Sequence, residues 1–252
     1  MATSDSPSGV AVTFLGSGDA FGSGGRLQTC MLLSSHAGRL LIDCGASSLV
    51  AIKRAGLDPN AIDAILLSHL HGDHFGGIPF LILEGQFSRR ERPLLIAGPP
   101  GLEARIRAAQ EVFFPGSSGT PQRFDIRFLE LSPETPVATG AAMVTSYPVE
   151  HASGAPSYAL RVALDGRTVA YSGDTAWTDT LLRAADRADL FIAEAYYYDK
   201  RVPFHLDHAT LLAHRAAFTC RRLILTHMSA DMLVHQAEAA WECAHDGLKV
   251  VL

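Results

Sequence analysis

Ala64-Ile65-Leu66-Leu67-Ser68-His69-Leu70-His71-Gly72-Asp73-His74 decides how this chain is read. Residues 62–67 form a short apolar run that predicts a buried strand. Four metal-binding side chains, His69, His71, Asp73 and His74, follow it within six residues. Imidazole nitrogens and carboxylate oxygens suit zinc and related divalent ions. Alternate residues of an extended segment point the same way, so His69 and His71 can grip one ion. Gly72 lets the chain turn, so Asp73 and His74 swing towards a second ion. A single histidine among the chain's eleven is more often a surface or satisfied core group. Clustering at a strand end is what makes ligands of these.

Three later residues stand in the same position, each just beyond an apolar run. His151 closes Tyr147-Pro148-Val149-Glu150-His151, Asp174 sits in Ser172-Gly173-Asp174-Thr175, and His227 ends Ile224-Leu225-Thr226-His227. Asp174 alone reads as a helix cap; beside the cluster it reads as a ligand. Working outward, strands are expected at 10–15, 29–34, 39–42, 94–97, 124–131, 141–149, 157–164, 167–172, 190–193, 223–226 and 248–251. Asp165-Gly166 reads as a hairpin turn. Helices are expected at 47–55, 78–87, 102–113, 178–185, 210–218 and 231–245. This pattern implies an α/β fold, two sheets face to face with helices outside, in one domain spanning residues 1–252.

Composition narrows the partners. With 48% hydrophobic and 19% charged residues, a large core is available. The net charge of -5 offers no basic surplus for nucleic-acid backbones. Residues 1–9 are polar without a basic and apolar leader, and no apolar run approaches about 18 residues. No secretory signal and no membrane span are therefore expected. The four cysteines, Cys30, Cys44, Cys220 and Cys243, form no CxxC pair and read as reduced thiols of a cytoplasmic protein.

The order His69-x-His71-x-Asp73-His74, then His151, then Asp174 in Ser-Gly-Asp-Thr, then His227, resembles the metallo-β-lactamase superfamily. The likeness runs from the Phe14-Leu15-Gly16-Ser17-Gly18 loop to near the C-terminus. It implies a four-layer αβ/βα sandwich with two divalent ions at the sheet edge. By that resemblance His69, His71 and His151 bind the first ion. Asp73, His74 and His227 bind the second, and Asp174 bridges them. Zinc is the first expectation, although manganese and iron accept the same N/O set. Paired ions about 3.5–4 Å apart activate a water between them and stabilise attacking and leaving oxygens; Asp73 is also placed to orient that water.

Two further segments are similar to the ribonuclease Z branch: Glu194-Ala195 after a strand, and Asp207-His208-Ala209-Thr210 before the final histidine. The resemblance implies that His208 protonates a leaving oxygen while Glu194 orients it, with His205 the weaker substitute. As structure alone, His208 is a helix-start residue beside its cap, Asp207. The chain also departs from that branch. Only 22 residues, 152–173, separate His151 from Asp174, where those enzymes carry a long arm that grips transfer RNA. Met228-Ser229 also lacks the Arg-Tyr that usually follows. A small or short phosphodiester is therefore expected, rather than structured transfer RNA. Lactone or thioester hydrolysis, or a non-catalytic metal-binding role, are the competing readings. The glycine-rich loop 16–25 lacks GK[ST] and reads as a loop at the metal rim rather than a phosphate cradle. Arg26 and the tyrosines Tyr196–Tyr198 are candidates for contacting substrate. The resemblance admits a homodimer.

Overall fold

The computed structural model describes residues 9–252, so the leader expectation for residues 1–8 lies outside it. Strands β1 (Ala11–Gly16), β2 (Cys30–Ser34), β3 (Arg39–Ile42), β4 (Ala64–Leu66), β5 (Leu94–Gly98) and β6 (Ile126–Glu130) build one sheet. The second contains β7 (Val137–Thr139), β8 (Ala142–Val149), β9 (Ser157–Leu164), β10 (Arg167–Tyr171), β11 (Leu190–Glu194), β12 (Leu223–Thr226) and β13 (Glu242–Cys243). The last strand, β14 (Lys249–Val251), returns to the first sheet beside β1, giving the order β14-β1-β2-β3-β4-β5-β6. The second sheet runs β13-β12-β11-β10-β9-β8-β7. Helices α1 (Ser48–Arg54), α2 (Gly72–Phe75), α3 (Ile78–Phe87) and α4 (Leu102–Phe113) belong to the first half. Helices α5 (Thr180–Ala185), α6 (His208–Ala213) and α7 (Ala230–Val234) belong to the second.

Four layers need three apolar interfaces, and three buried clusters fill them. Phe14, Met31, Leu160, Tyr171 and Ile192 pack between the sheets. Ile52, Ile78, Ile82, Leu102 and Ile106 lie under the helices of the first half. Leu181, Leu211 and Met232 join Phe191 and Leu225 under those of the second. The central strands serve two layers at once: Leu40 and Ile42 face the other sheet while Leu41 faces the helices. Burial on both faces is why these strands read as unbroken apolar runs rather than as alternation.

Strands β3 to β6 are mutually parallel, as are β10 to β13. Two antiparallel pairings, β8 with β9 and β9 with β10, bring β8 back to the direction of β10. The carboxyl ends of β4, β8, β10, β11 and β12 therefore reach one edge of the sandwich, where crevices of open α/β sheets lie. The hairpin β9–β10 fills the interval between His151 and Asp174, with no room left for an arm.

The tertiary structure overrides the sequence pattern near the end. The helix expected at 231–245 is only α7, one 3-10 turn at Gln236–Glu238, and β13. Glu242 and Cys243 instead pair with Ile224 and Leu225, and the Ala240 amide donates to His208 Nε2 at 3.0 Å. The helix expected at 210–218 starts earlier, because the Asp207 side chain accepts from the Thr210 amide, and it breaks after Ala213 into a 3-10 turn. The short strand β7, absent from the expectations, is the hairpin partner of β8. Among the described residues no helix is long and apolar enough to cross a membrane, and the four cysteines are free.

One glycine fixes how closely the sheets meet at the site edge. Gly173 has φ +61°, and a Cβ there would sit 2.7 Å from the Tyr158 carbonyl oxygen and 3.2 Å from Ser68 Cβ. Gly173→Ala is expected to destabilise the fold by about 2–3 kcal/mol through positive φ and backbone overlap; the denaturant midpoint measures it, and an unchanged midpoint would show that the edge is loosely packed.

Candidate metal centre

The turn after β4 carries four of the side chains. His71 is extended at the start of α2, and its carbonyl accepts the first helical bond of that short helix. This places Asp73 and His74 on the first turn, facing back across the sheet edge. His69, His74, Asp174 and His227 are buried, Asp73 nearly so, while His71 and His151 are half-buried.

These side chains meet in two sets joined by one carboxylate. In the first, the rings of His69, His71 and His151 lie 4.7–4.9 Å apart, with His71 Nδ1 3.0 Å from His151 Nε2. In the second, Asp73 Oδ2 lies 3.2 Å from both His74 Nε2 and His227 Nε2. Asp174 sits between them: Oδ1 is 3.4 Å from His74 Nε2, and Oδ2 is 3.5 Å from His227 Nε2 and 3.9 Å from His69 Nε2. Within each set, ligand atoms lie no more than 4.8 Å apart. His69 Nε2, His74 Nε2 and Asp174 Oδ1 are buried without a hydrogen-bond partner. Unmet, such groups cost roughly 1–3 kcal/mol each. Converging lone pairs on nitrogen and oxygen, buried and unpaired, fit divalent cations.

Electrostatics differ between the sets. Burial, reinforced by His74, holds the His69 pKa well below the usual imidazole value, and burial with His151 lowers that of His71. Both keep free lone pairs. Burial also disfavours charge on His74 and His227, but carboxylates win there. Asp174, Asp73 and Asp43 raise His74, and Asp174, Asp73 and Glu194 push His227 up to about 10. Asp73 and Asp174 are correspondingly held ionised against the desolvation that opposes it. The second set thus brings negative charge as well as lone pairs to a cation.

The supporting shell contains residues that the sequence reading missed. Asp43, at the end of β3 with φ +56°, takes a bond from His74 Nδ1 at 2.7 Å. The same carboxylate accepts the Ser68 amide at 2.8 Å and hydroxyl at 2.7 Å, and the Ser68 hydroxyl lies 3.0 Å from His69 Nδ1. One buried carboxylate thereby orients ligands of both sets, the carboxylate–histidine arrangement that stabilises metal sites. Its sequence signal was available: Asp43 follows an apolar strand as the ligands do. Phe204, at φ +68°, turns its carbonyl to His151 Nδ1 at 2.9 Å, leaving Nε2 free for a cation.

Glu194, fully buried at the end of β11, is at the site as expected, but its histidine is not His208. Glu194 Oε1 accepts from His205 Nδ1 at 2.5 Å, while Oε2 accepts the Thr175 amide at 2.9 Å and the Leu206 amide at 3.2 Å. A ring nitrogen of His205 lies within 4.8 Å of ligand atoms of Asp174, Glu194 and His227. His208 is instead buried beneath Tyr198, stacked at 5.0 Å and 6°, and its Nε2 accepts the Ala240 amide. The expectation for His208 is corrected to that extent. Asp207 caps α6, so the chain still bends sharply at 205–208, and a shift of three residues puts the other histidine into the crevice.

The remaining candidates divide. Arg26 is directed away from the site, Nη1 donating to the Ala244 carbonyl at 2.6 Å. Tyr196 lines the crevice, 4.9 Å from the His205 ring, whereas Tyr198 packs between His208 and His235. The loop 16–25 is no phosphate cradle: buried Asp19 spends its carboxylate on the Phe21 and Ser23 amides and the Ser23 hydroxyl. The loop supports the site from behind, Ser17 O accepting the His227 amide at 3.1 Å.

A family described as Anti-Pycsar protein Apyc1 matches residues 10–242. The chain belongs to this family. As a member, it is similar to ribonuclease Z of Bacillus licheniformis, 28% identical over 281 aligned positions that cover 88% of this chain and 89% of that one. It is also similar to the uncharacterized protein Rv1339 of Mycobacterium tuberculosis, 31% identical over 246 residues, covering 92% and 87%. The Bacillus subtilis metallo-beta-lactamase fold protein YhfI superposes with a TM-score of 0.76 at 24% identity, over 96% of this chain and 98% of that one. The Apyc1-family chain therefore has the metallo-β-lactamase fold, the four-layer αβ/βα sandwich, with ribonuclease Z among its relatives, as the sequence resemblance implied.

Asp43→Asn keeps the shape but removes the charge facing His74. It is expected to weaken metal retention by about 10–100-fold, measured by competition with a chromophoric chelator. Retention equal to the parent would show that Asp43 only supports the fold.

Proposed function

We propose that this Apyc1-family chain is a two-metal phosphodiesterase acting on a small or short phosphodiester. The Glu194–His205 pair at the rim of the His/Asp cage carries the reading. His69, His71 and His151 would hold one divalent ion, and Asp73, His74 and His227 the other, with Asp174 between them. Zinc is the first choice, and manganese or iron suits the same donors. Such ions supply an activated water as nucleophile and neutralise the phosphate charge.

The chain's own groups complete the reaction, in which phosphodiester and water give a phosphomonoester and an alcohol. Asp73, acceptor only when ionised, orients the attacking water. As the bond from phosphorus to the leaving oxygen breaks, His205 gives that oxygen its Nε2 proton. Glu194 accepts a hydrogen bond from Nδ1–H throughout, fixing the ring and stabilising its cationic form. Burial alone would lower the His205 pKa, yet Glu194 raises it above the ordinary value, so the imidazole holds its proton near neutral pH. Lactone or thioester hydrolysis has less need of such an acid.

Three features support a small substrate. The net charge of -5 gives no general attraction to a nucleic-acid backbone. Residues between His151 and Asp174 are spent on the β9–β10 hairpin. The ribonuclease Z alignment spans 281 positions against a chain of 252, so that relative carries insertions this chain lacks.

His205→Ala is expected to lower kcat by about 10²–10⁴-fold on a phosphodiester with an alkyl leaving group. The loss should be much smaller on bis(p-nitrophenyl) phosphate, whose leaving group departs unprotonated, and His208→Gln should keep most of the rate. Equal losses on both substrates in His205→Ala, or faster turnover of lactones and thioesters by the parent protein, would overturn the proposal. A second measurement follows the protonation sign. Activity needs protonated His205 and falls as pH rises through its raised pKa, so Glu194→Gln should move that alkaline limb to lower pH. An unmoved limb would assign it to another group.

A further inference from the structure

Where the chain crosses from β13 in the second sheet to β14 in the first, Asp246 reaches into the loop that follows β1. Its Oδ1 accepts the Ser17 amide at 2.9 Å and the Ser17 hydroxyl at 2.8 Å, and its Oδ2 accepts the Leu27 amide at 2.8 Å. Arg26 grips the same turn from the loop side, through the Ala244 carbonyl. One carboxylate therefore ties together both ends of the loop 17–27. The loop is packed without slack. A Cβ at Gly18 would lie 2.8 Å from Arg26 Cβ, and one at Gly16 only 2.0 Å from the Gln28 carbonyl oxygen.

That loop holds His227 by its backbone. Ser17 O accepts the His227 amide at 3.1 Å and the Thr226 hydroxyl at 3.3 Å, and Gly18 is bridged to Met228. The clamp matters because His227 lacks the ring support that other candidate ligands have. His69, His74 and His151 each have Nδ1 held, by the Ser68 hydroxyl, Asp43 and the Phe204 carbonyl respectively. His227 Nδ1 is buried and makes no hydrogen bond. Glu194 Oε1, 3.4 Å from it, is already taken by His205 Nδ1 at 2.5 Å. His227 also sits at φ +56°, a conformation that a non-glycine residue keeps only where its surroundings over-determine it. With nothing fixing Nδ1, the direction of Nε2 is set from the backbone side.

We propose that Asp246 is a positioning residue for the second ion: it fixes Ser17, Ser17 fixes the His227 backbone, and that backbone aims Nε2 at the space beside Asp73 and Asp174. The inference rests on the two-metal reading above, in which His227 is a ligand. It gives the turn between the last two strands a part in metal binding, although that turn supplies no ligand of its own.

The test follows zinc rather than turnover. Zinc retention by the full-length protein is measured by competition with a chromophoric chelator, for the parent, Asp246→Ala, His227→Ala and the double variant. Asp246→Ala is expected to weaken one of two ions by about 10–100-fold, the range for residues that orient a ligand, and to leave the other as in the parent. In the His227→Ala background the same substitution should add nothing, because residues acting through one another depart from additivity whereas independent ones add. Should Asp246→Ala fail to fold, Ser17→Ala removes one of the three bonds and should weaken the same ion by roughly 2–12-fold, the worth of a single hydrogen bond. Unchanged retention, equal weakening of both ions, or a loss that adds to that of His227→Ala would each show that Asp246 only supports the fold. Failure of the two-metal reading shows separately, as fewer than two zinc ions held by the parent, and it overturns the positioning role as well.

Discussion

Burying unpaired lone pairs and carboxylate charge at one sheet edge is the constraint on which the rest of the structure depends. Asp174 is the hub, its two oxygens within 3.9 Å of ring nitrogens of His69, His74 and His227. Packing alone leaves that assembly partly unsatisfied, because His69 Nε2, His74 Nε2 and Asp174 Oδ1 are buried without a hydrogen-bond partner. Divalent cations at the centre would resolve the conflict, and the two antiparallel pairings that align β8 with β10 bring the donors to one edge.

Holding that edge together has a visible backbone cost. Asp43, Gly173, Phe204 and His227 all adopt positive φ, and all lie at the site. Such conformations persist where the surroundings over-determine them. At Asp43 the carboxylate is fixed by Ser68 and His74; at Phe204 the turned carbonyl meets His151; at Gly173 the backbone of Tyr158 is too near for any side chain. The strap around Phe204 links otherwise separate parts, since one short turn orients a ligand through its backbone and presents His205 to Glu194.

Much of this was readable in the sequence because strand-end position is a local property. His69, His71, Asp73, His74, His151, Asp174 and His227 each follow an apolar run, and parallel strands deliver such residues to a common edge. Glu194 was readable on the same ground. Asp43 carries the same signal but stands alone, without neighbouring histidines, so its role shows only once His74 is seen against it. The segment 231–245 misled for a different reason. Its alanine- and glutamate-rich composition favours helix, yet pairing of Glu242 and Cys243 with β12 and the His208–Ala240 bond outweigh that preference, which is small per residue.

By itself, then, the sequence determined the layered α/β plan and singled out the candidate ligands that the fold brings together, because burial on both strand faces and clustered donors leave few alternatives. The tertiary structure decided which histidine faces the crevice. His205 and His208 are three residues apart, flank the same cap residue, and are both plausible proton donors by type. The choice turns on how the 199–206 strap crosses β11: Glu194 binds His205 and the Leu206 amide, whereas His208 is consumed by Tyr198 and the Ala240 amide. Those contacts depend on how the strap folds back on β11 and on the later segment at Ala240, which helix or strand periodicity does not encode.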